Sequence, residues 1–460
     1  VKRGWIALAA LAALVAAAAV VYQVEARERT YRRLMAQGDA SFASGQTFSA
    51  IDSYGSAIAL RPDSMLAHLR RGETYRLRGD LEAAALDLRA AAALDPAATR
   101  PLEQWGDVLY QQRRYRRAAE VYDDRLKLDD RSAAIRTKLG LALYRAGNLA
   151  GALPALEKAA ALDSRLAEPH YLMGLCLKDL QRPIEAIAAF EQAVNREPGS
   201  IPSREELADL YETIGKRPQQ IEQLQVLAVL DPNHIERRLA VGLAHARAGH
   251  AELAVLTLAN AIEQAPEQPL IYGALGRVWL DIAESHHDRP DALAKALEAL
   301  ERAASSPTAT SEVKTLYGRA LMLDRQSEAA ERVLQQATER SPADPRAFAE
   351  YAIVAEEQQH FAAARAALLS FTALVGDTGD AAVHAAKIGQ LSLRLNDTPA
   401  AVQWLRRAAL SAPDNVDTMS ALAEAEFRAG NLQQARAAIE HAVQLDPGNA
   451  RLRAIARRLS

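Results

Sequence analysis

Small and large apolar residues recur along this chain in a fixed frame. Counted back from the prolines Pro62, Pro96, Pro198, Pro232, Pro266, Pro342, Pro413 and Pro447, a small residue stands twelve positions earlier. It is Ala50, Ala84, Ala186, Ala254, Ala330, Ala401 or Ala435, with Gln220 the exception. Five positions before the proline the same holds for Ala57, Ala91, Ala193, Ala261, Ala337, Ala408 and Ala442, with Leu227 the exception. Between these two lies a large apolar residue, such as Tyr54, Leu88, Phe190, Leu258, Leu334, Leu405 or Ile439. Twenty-four positions before the proline comes Gly38, Gly72, Gly174, Gly242, Gly318 or Gly389, replaced by Ala208 and Ala423. Small residues at helical spacing let two helix axes approach, and the large residue fills the groove between them. The pattern therefore predicts pairs of packed helices. A glycine midway (Gly45, Gly79, Gly147, Gly215, Gly249 or Gly430) predicts the left-handed stop of the first helix. The proline then ends the second.

Four of the gaps between successive prolines are equal: Pro62 to Pro96, Pro198 to Pro232, Pro232 to Pro266 and Pro413 to Pro447. The gap from Pro96 to Pro198 is three such periods, and those on either side of Pro342 are each slightly more than two. A period of this length means a stack of similar supersecondary units, with a surface to offer and no room for a separate catalytic domain. The unit resembles the tetratricopeptide repeat (TPR). Twelve units begin at Tyr31, Met65, Thr99, Ala133, Ala167, Ile201, Ile235, Pro269, Ser311, Pro345, Ala382 and Val416. Departures are local. The third unit has Arg125 and Asp130 where alanine and proline are expected, and the sixth has Gln220 and Leu227 in place of both alanines. The eighth carries about eight extra residues around Glu284–Asp291, and three extra residues precede Ala382. The resemblance implies an all-α, right-handed α-solenoid of about twelve helix pairs over residues 25–449. Residues 450–460 place Leu452, Ile455, Ala456 and Leu459 at i, i+3, i+4, i+7, which predicts a C-terminal capping helix.

Residues 1–24 stand outside the frame. From Gly4 to Val24 there is no charge, and Trp5 and Tyr22 bracket an Ala/Leu/Val run. That is about the 20 residues a bilayer crossing needs, so residues 4–22 are expected to form one transmembrane helix with the lipid bilayer as its partner. The alternative is a signal peptide cleaved after Ala17–Ala19 or near Val24–Ala26. Arg27, Arg29, Arg32 and Arg33 against Lys2 and Arg3 point to a cytoplasm-facing repeat domain, whereas a short basic start is the usual layout for export. The expectation taken is a single-pass inner or plasma membrane protein with a periplasmic or exoplasmic repeat domain.

Composition narrows the function. Net charge is −3, which leaves no general footprint for nucleic acid. Residues 23–166 carry 23 Lys/Arg and 19 Asp/Glu, and residues 167–460 carry 30 and 39, so the first part is the more basic. The single cysteine, Cys176, lies among Leu172, Met173, Leu175 and Leu177 and reads as a small core residue. His286 and His287 beside Glu284 and Asp288 lack a third placed ligand and read as a polar loop, so no metal is expected. No nucleophile–base pair or phosphate loop appears, and neither catalysis nor a cofactor is expected.

In the TPR family, ligands lie in a concave groove and are contacted from positions 2, 5, 6, 9, 12 and 13 of the first helix. That resemblance selects Arg70, Glu73, Arg76, Asp107, Tyr110, Lys138, Tyr144, Arg145, Tyr171 and Lys178, answered by Glu205, Glu206, Asp209 and Glu212. The family's clamp for a C-terminal carboxylate needs asparagine at position 9, and none of the twelve units has one. The implied function is a non-catalytic scaffold recruiting or holding protein partners, peptide segments or folded subunits, of a membrane or envelope complex. Two alternatives stand beside it, a permanent structural subunit of such a complex and a periplasmic or secreted polysaccharide-binding protein.

Overall fold

The computed structural model describes residues 2–285, 289–376 and 379–459. Within them the regular structure is 25 α-helices and no strand. First (A) and second (B) helices alternate. The A helices are α1 (Lys2–Ala43), α3 (Met65–Arg78), α5 (Thr99–Gln111), α7 (Ala133–Arg145), α9 (Glu168–Asp179), α11 (Ile201–Thr213), α13 (Ile235–Arg247), α15 (Pro269–Ser285), α17 (Ser311–Leu323), α19 (Pro345–Glu357), α21 (Gly379–Arg394) and α23 (Val416–Arg428). The B helices are α2 (Thr47–Leu60), α4 (Leu81–Leu94), α6 (Tyr115–Leu128), α8 (Leu149–Leu162), α10 (Pro183–Arg196), α12 (Arg217–Leu230), α14 (Ala251–Gln264), α16 (Asp291–Ala304), α18 (Ser327–Thr338), α20 (Phe361–Val375), α22 (Thr398–Ser411) and α24 (Leu432–Leu445), and α25 (Ala450–Leu459) follows. Nine A helices start on the residue that the repeat frame marks. The fifth starts at Glu168 instead of Ala167 and the eleventh at Gly379 instead of Ala382.

One recurrent fit holds most of the pairs. A glycine on the A helix faces a large side chain at a fixed place on the B helix that follows. A Cβ at Gly72, Gly140 or Gly174 would lie 2.8, 2.4 or 2.5 Å from Leu88, Leu156 or Phe190. Such approaches are too close for a Cβ, so in these units the large residue seats where only a glycine leaves room and an added methyl would force it to shift. In the eighth unit the partner of Gly276 is Leu300, half as far again along the chain as in the other units. The extra residues thus leave the fit intact and lengthen α15 to 17 residues. Where alanine replaces glycine the same pairs persist, Ala352 with Leu368 and Ala423 with Ile439, each buried in one cluster.

Outside the eighth unit, each turn between A and B helices passes through the left-handed region. Glycine fills it at Gly79 (φ 90°), yet Arg113 (60°), Gln181 (59°), Arg325 (60°), Gln359 (63°) and Asn396 (58°) adopt it in five other units. Arg125, at an alanine position, is buried and donates to the carbonyl of Asp129 at 3.0 Å.

The amino-terminal reading is corrected. α1 runs from Lys2 to Ala43 without a break at residue 24, so the boundary expected between anchor and repeats falls inside one helix. No helix among the described residues is long and apolar enough to cross a membrane. That overturns the transmembrane helix over residues 4–22, the lipid bilayer as a partner, and the single-pass membrane localisation. The physical reason is composition: nine of residues 4–22 are alanine, whose small methyl contributes little apolar area, and the helix continues into Glu25, Arg27, Glu28 and Arg29.

Contacts group the chain into two compact units, Val1–Gln223 and Leu224–Ser460. Inside each, A helices of neighbouring pairs touch: α1 with α3, α3 with α5 and α7 with α9 in the first, α13 through α19 in series and α21 with α23 in the second. B helices of neighbouring pairs make no comparable contact among the described residues. The A helices are therefore the closer-spaced set and line the inner face of each unit. At the chain's end α25 buries Leu452 in one cluster with Met419, Leu422 and Ile439, and Ile455 and Ala456 pack beside it.

Candidate functional site: the A-helix face of the first unit

Because consecutive A helices are adjacent, charged residues one repeat apart face each other. Arg70 lies 3.6 Å from Asp39 on α1 and 3.2 Å from Glu73 on its own helix. Glu73 also receives Arg100 of α5 at 2.7 Å. Lys138 of α7 reaches back to Glu103 and Asp107 of α5, both at 2.9 Å. Burial works against the Lys138 charge, but the hydrogen bonds it donates to the two carboxylates outweigh that and raise its pKa. Lys178 of α9 pairs with Glu206 of α11, which raises its pKa too. The second unit carries a similar ladder, with Arg319 on Glu284 and Lys387 on Glu356, each at 2.7 Å.

The large residue of the B helix takes part where it is tyrosine. Tyr54 donates to Asp39 and Tyr122 to Asp107, each at 2.7 Å. Burial first, and then these hydrogen bonds, push both phenols well above the ordinary range. A buried tyrosine oxygen needs a partner, so the aspartate fifteen positions upstream is a signal that was legible in the sequence.

Two clefts open on this face. One, of about 390 Å³, is lined by Arg70, Glu73, Arg76, Arg100, Gln104 and Gln111 among others. The next, of about 460 Å³, is lined by Arg76, Gln111, Asp107, Tyr110, Lys138 and Leu141 among others. Arg76 and Gln111 belong to both. Tyr110 is held edge-on by Tyr115, with ring centroids 5.2 Å apart.

The sequence-selected residues thus fall into groups. Arg70, Glu73 and Arg76 share the first cleft, and Arg76, Tyr110 and Lys138 the second. Tyr144 and Tyr171 are half-buried against the cluster of Leu156, Leu172 and Cys176 and line neither cleft. The Tyr144 phenol is pushed up to about 12 by burial and by its hydrogen bond to Asp179. Arg145 is exposed, with its guanidinium 5.9 Å from the Tyr144 ring. Glu205 and Asp209 are exposed on α11, beside the Lys178–Glu206 pair. Cys176 is buried, and burial pushes its thiol up to about 11, away from reactivity. His286 and His287 lie outside the described residues. Arg100, Gln104 and Gln111 were not singled out, although they occupy positions 2, 6 and 13 of the third unit.

A family model described as tetratricopeptide repeat matches residues 35–99, 104–167, 315–376 and 387–450, more than half of the chain. A second model of the same description matches residues 167–200. The small glutamine-rich tetratricopeptide repeat-containing protein 2 of Mycosarcoma maydis is 26% identical over 107 residues, 23% of this chain. The match spans only 30% of that relative's length. Among solved structures, YrrB, described as a TPR protein with an unusual peptide-binding site, is 21% identical, with 41% of this chain and 97% of that one covered and a TM-score of 0.36. A chain of the APC/C hetero-tetramer Cut9–Hcn1 is 15% identical, with 93% of this chain and 96% of that one covered and a TM-score of 0.35. MamA is 23% identical, with 36% and 92% covered and a TM-score of 0.35.

Proposed function

This chain belongs to the tetratricopeptide-repeat family, whose members typically act in protein–protein interaction, and on that premise we propose that it is a non-catalytic scaffold holding partner proteins on the A-helix face of residues 65–213. The observation that carries the proposal is the pair of adjoining clefts between α3, α5 and α7, which share Arg76 and Gln111 and present Tyr110 and Lys138. Arginine and tyrosine are the side chains most often found as binding anchors. A surface of this kind suits an extended segment of a partner, because its polar groups repeat at each A helix while Tyr110 and Leu141 supply apolar contact. Arg70, Glu73, Arg76, Tyr110 and Lys138 form the proposed contact set. Tyr144, Arg145, Tyr171, Lys178, Glu205 and Asp209 extend it along α7 to α11.

The test places a photoreactive amino acid at Tyr110, on the A-helix face, or at exposed Arg116, on a B helix, in the cells that make the chain. Adducts from position 110 that are absent from position 116 support the reading. Adducts from 116 alone, or equal adducts from both, overturn it.

A further inference from the structure

We propose that Arg76 is a receptor for one side-chain carboxylate, so that the segment docked on this face carries an isolated aspartate or glutamate; this rests on the docking surface argued above. The first cleft has three guanidinium groups, Arg70, Arg76 and Arg100, and one carboxylate, Glu73. Glu73 is nearly buried and both of its oxygens are engaged, Oε2 by Arg70 at 3.2 Å and Oε1 by Arg100 at 2.7 Å. Nothing is left for Arg76. Its guanidinium makes no hydrogen bond or ion pair among the described residues, and its Nε is buried without a partner. In the same cleft the Gln104 side-chain oxygen is also buried and unpaired. A buried donor without a partner is costly, and a charged donor more so. The group that would satisfy Arg76 is a planar acceptor with two oxygens, since the guanidinium fork matches a carboxylate in bidentate geometry.

The surroundings narrow the ligand to a side chain. On the α7 and α9 side of Arg76 the adjoining cleft is lined by Asp107, already engaged by Tyr122 and Lys138, and by exposed Glu168. A polyanion such as nucleic acid would set further phosphates against these carboxylates. A peptide with one acid and apolar or neutral neighbours meets no such repulsion, and Tyr110 and Leu141 would contact those neighbours. The excess of positive charge is local, in a chain whose net charge is −3.

The probe is a set of fluorescent ten-residue peptide mixtures, each with one fixed central residue (Glu, Gln or Lys) and random neutral positions around it. Binding to the intact chain is read by anisotropy at low salt. The expected result is that the Glu mixture binds at least about tenfold more tightly than the Gln mixture, the scale of one charge-assisted hydrogen-bond pair. Arg76→Gln should abolish that preference, Arg76→Lys should keep part of it, and Arg116→Gln on the B helix should leave it unchanged. Circular dichroism and melting should show Arg76→Gln folded as the parent, since Arg76 makes no internal side-chain bond. No Glu-over-Gln preference in the parent chain, or a preference that survives Arg76→Gln, overturns the proposal. So does a continuous Glu run or a single-stranded oligonucleotide bound as tightly as the isolated-Glu mixture. If position 110 still cross-links its partner while the Glu preference is missing, the carboxylate receptor alone fails. If position 110 yields no specific adduct, the docking face itself fails.

Discussion

Glu350 shows what happens to a charge on the A-helix face when its natural partner is taken. Arg319 is 3.9 Å from Glu350 but 2.7 Å from Glu284 of the preceding A helix, so the nearer carboxylate holds it. Burial raises the Glu350 pKa, Arg319 offsets part of that, and the Glu284 charge adds to it. A carboxylate with a raised folded-state pKa contributes stability that is full below its unfolded value, about 4.3, and is lost as pH rises through the folded value. Glu350→Gln should therefore melt with the parent at pH 4 and above it at pH 7, the gap opening as pH climbs. A variant that melts lower than the parent at pH 7 would mean that the Arg319–Glu350 attraction outweighs burial. The same scale shows what could be read from sequence at the site. Arg76 was legible as position 12 of the second unit. Its lack of a partner was not, because that depends on Arg70 and Arg100 both closing on Glu73, and the Glu73–Arg100 distance crosses between helices.

At the scale of elements, α25 tests how much one short helix laid on a repeat pair contributes. α23 and α24 present an apolar face, and α25 lays Leu452, Ile455 and Ala456 on it beside Met419, Leu422 and Ile439. A buried leucine contributes about 1.5–3 kcal/mol relative to exposure. Truncation after Asn449 should lower the melting temperature and promote self-association through the bared face, with Leu452→Ala giving the same shift in weaker form. Calorimetry and light scattering would read both, and a monomeric truncated chain with unchanged melting would show that the helix covers nothing of consequence. Helix starts were legible here because the glycine and its large partner keep one spacing, as Gly72 does with Leu88 and Gly174 with Phe190. The eighth unit keeps its fit across a longer separation, Gly276 to Leu300, because the contact and not the count is what packing conserves. The turns were less legible. Glycine announces the left-handed position at Gly79, whereas Arg113 or Gln359 takes it only because the packed pair fixes where the chain must reverse. α1 was misread for a related reason. An alanine-rich run satisfies a count of uncharged residues, yet it forms a helix as readily in water as in lipid, and here it is continuous with the first repeat.

For the whole molecule, stability is a sum over neighbouring pairs, so it need not be uniform along the chain. The division between the two compact units, after Gln223, falls inside α12. This B helix lacks both of the alanines that set close approach elsewhere and carries Gln220 and Leu227, each almost fully buried. Gln220 donates to Glu212 at 3.0 Å, but its side-chain oxygen is buried with no partner. An unmet buried acceptor costs about 1–3 kcal/mol, and α4 and α8, which keep alanine at both positions, carry no such cost at those two sites. Local opening should therefore be easier in α12. Hydrogen exchange followed by mass spectrometry should find residues 217–230 exchanging faster than residues 81–94 and 149–162 under native conditions. Equal protection of the three helices would mean that Gln220 is accommodated without loss.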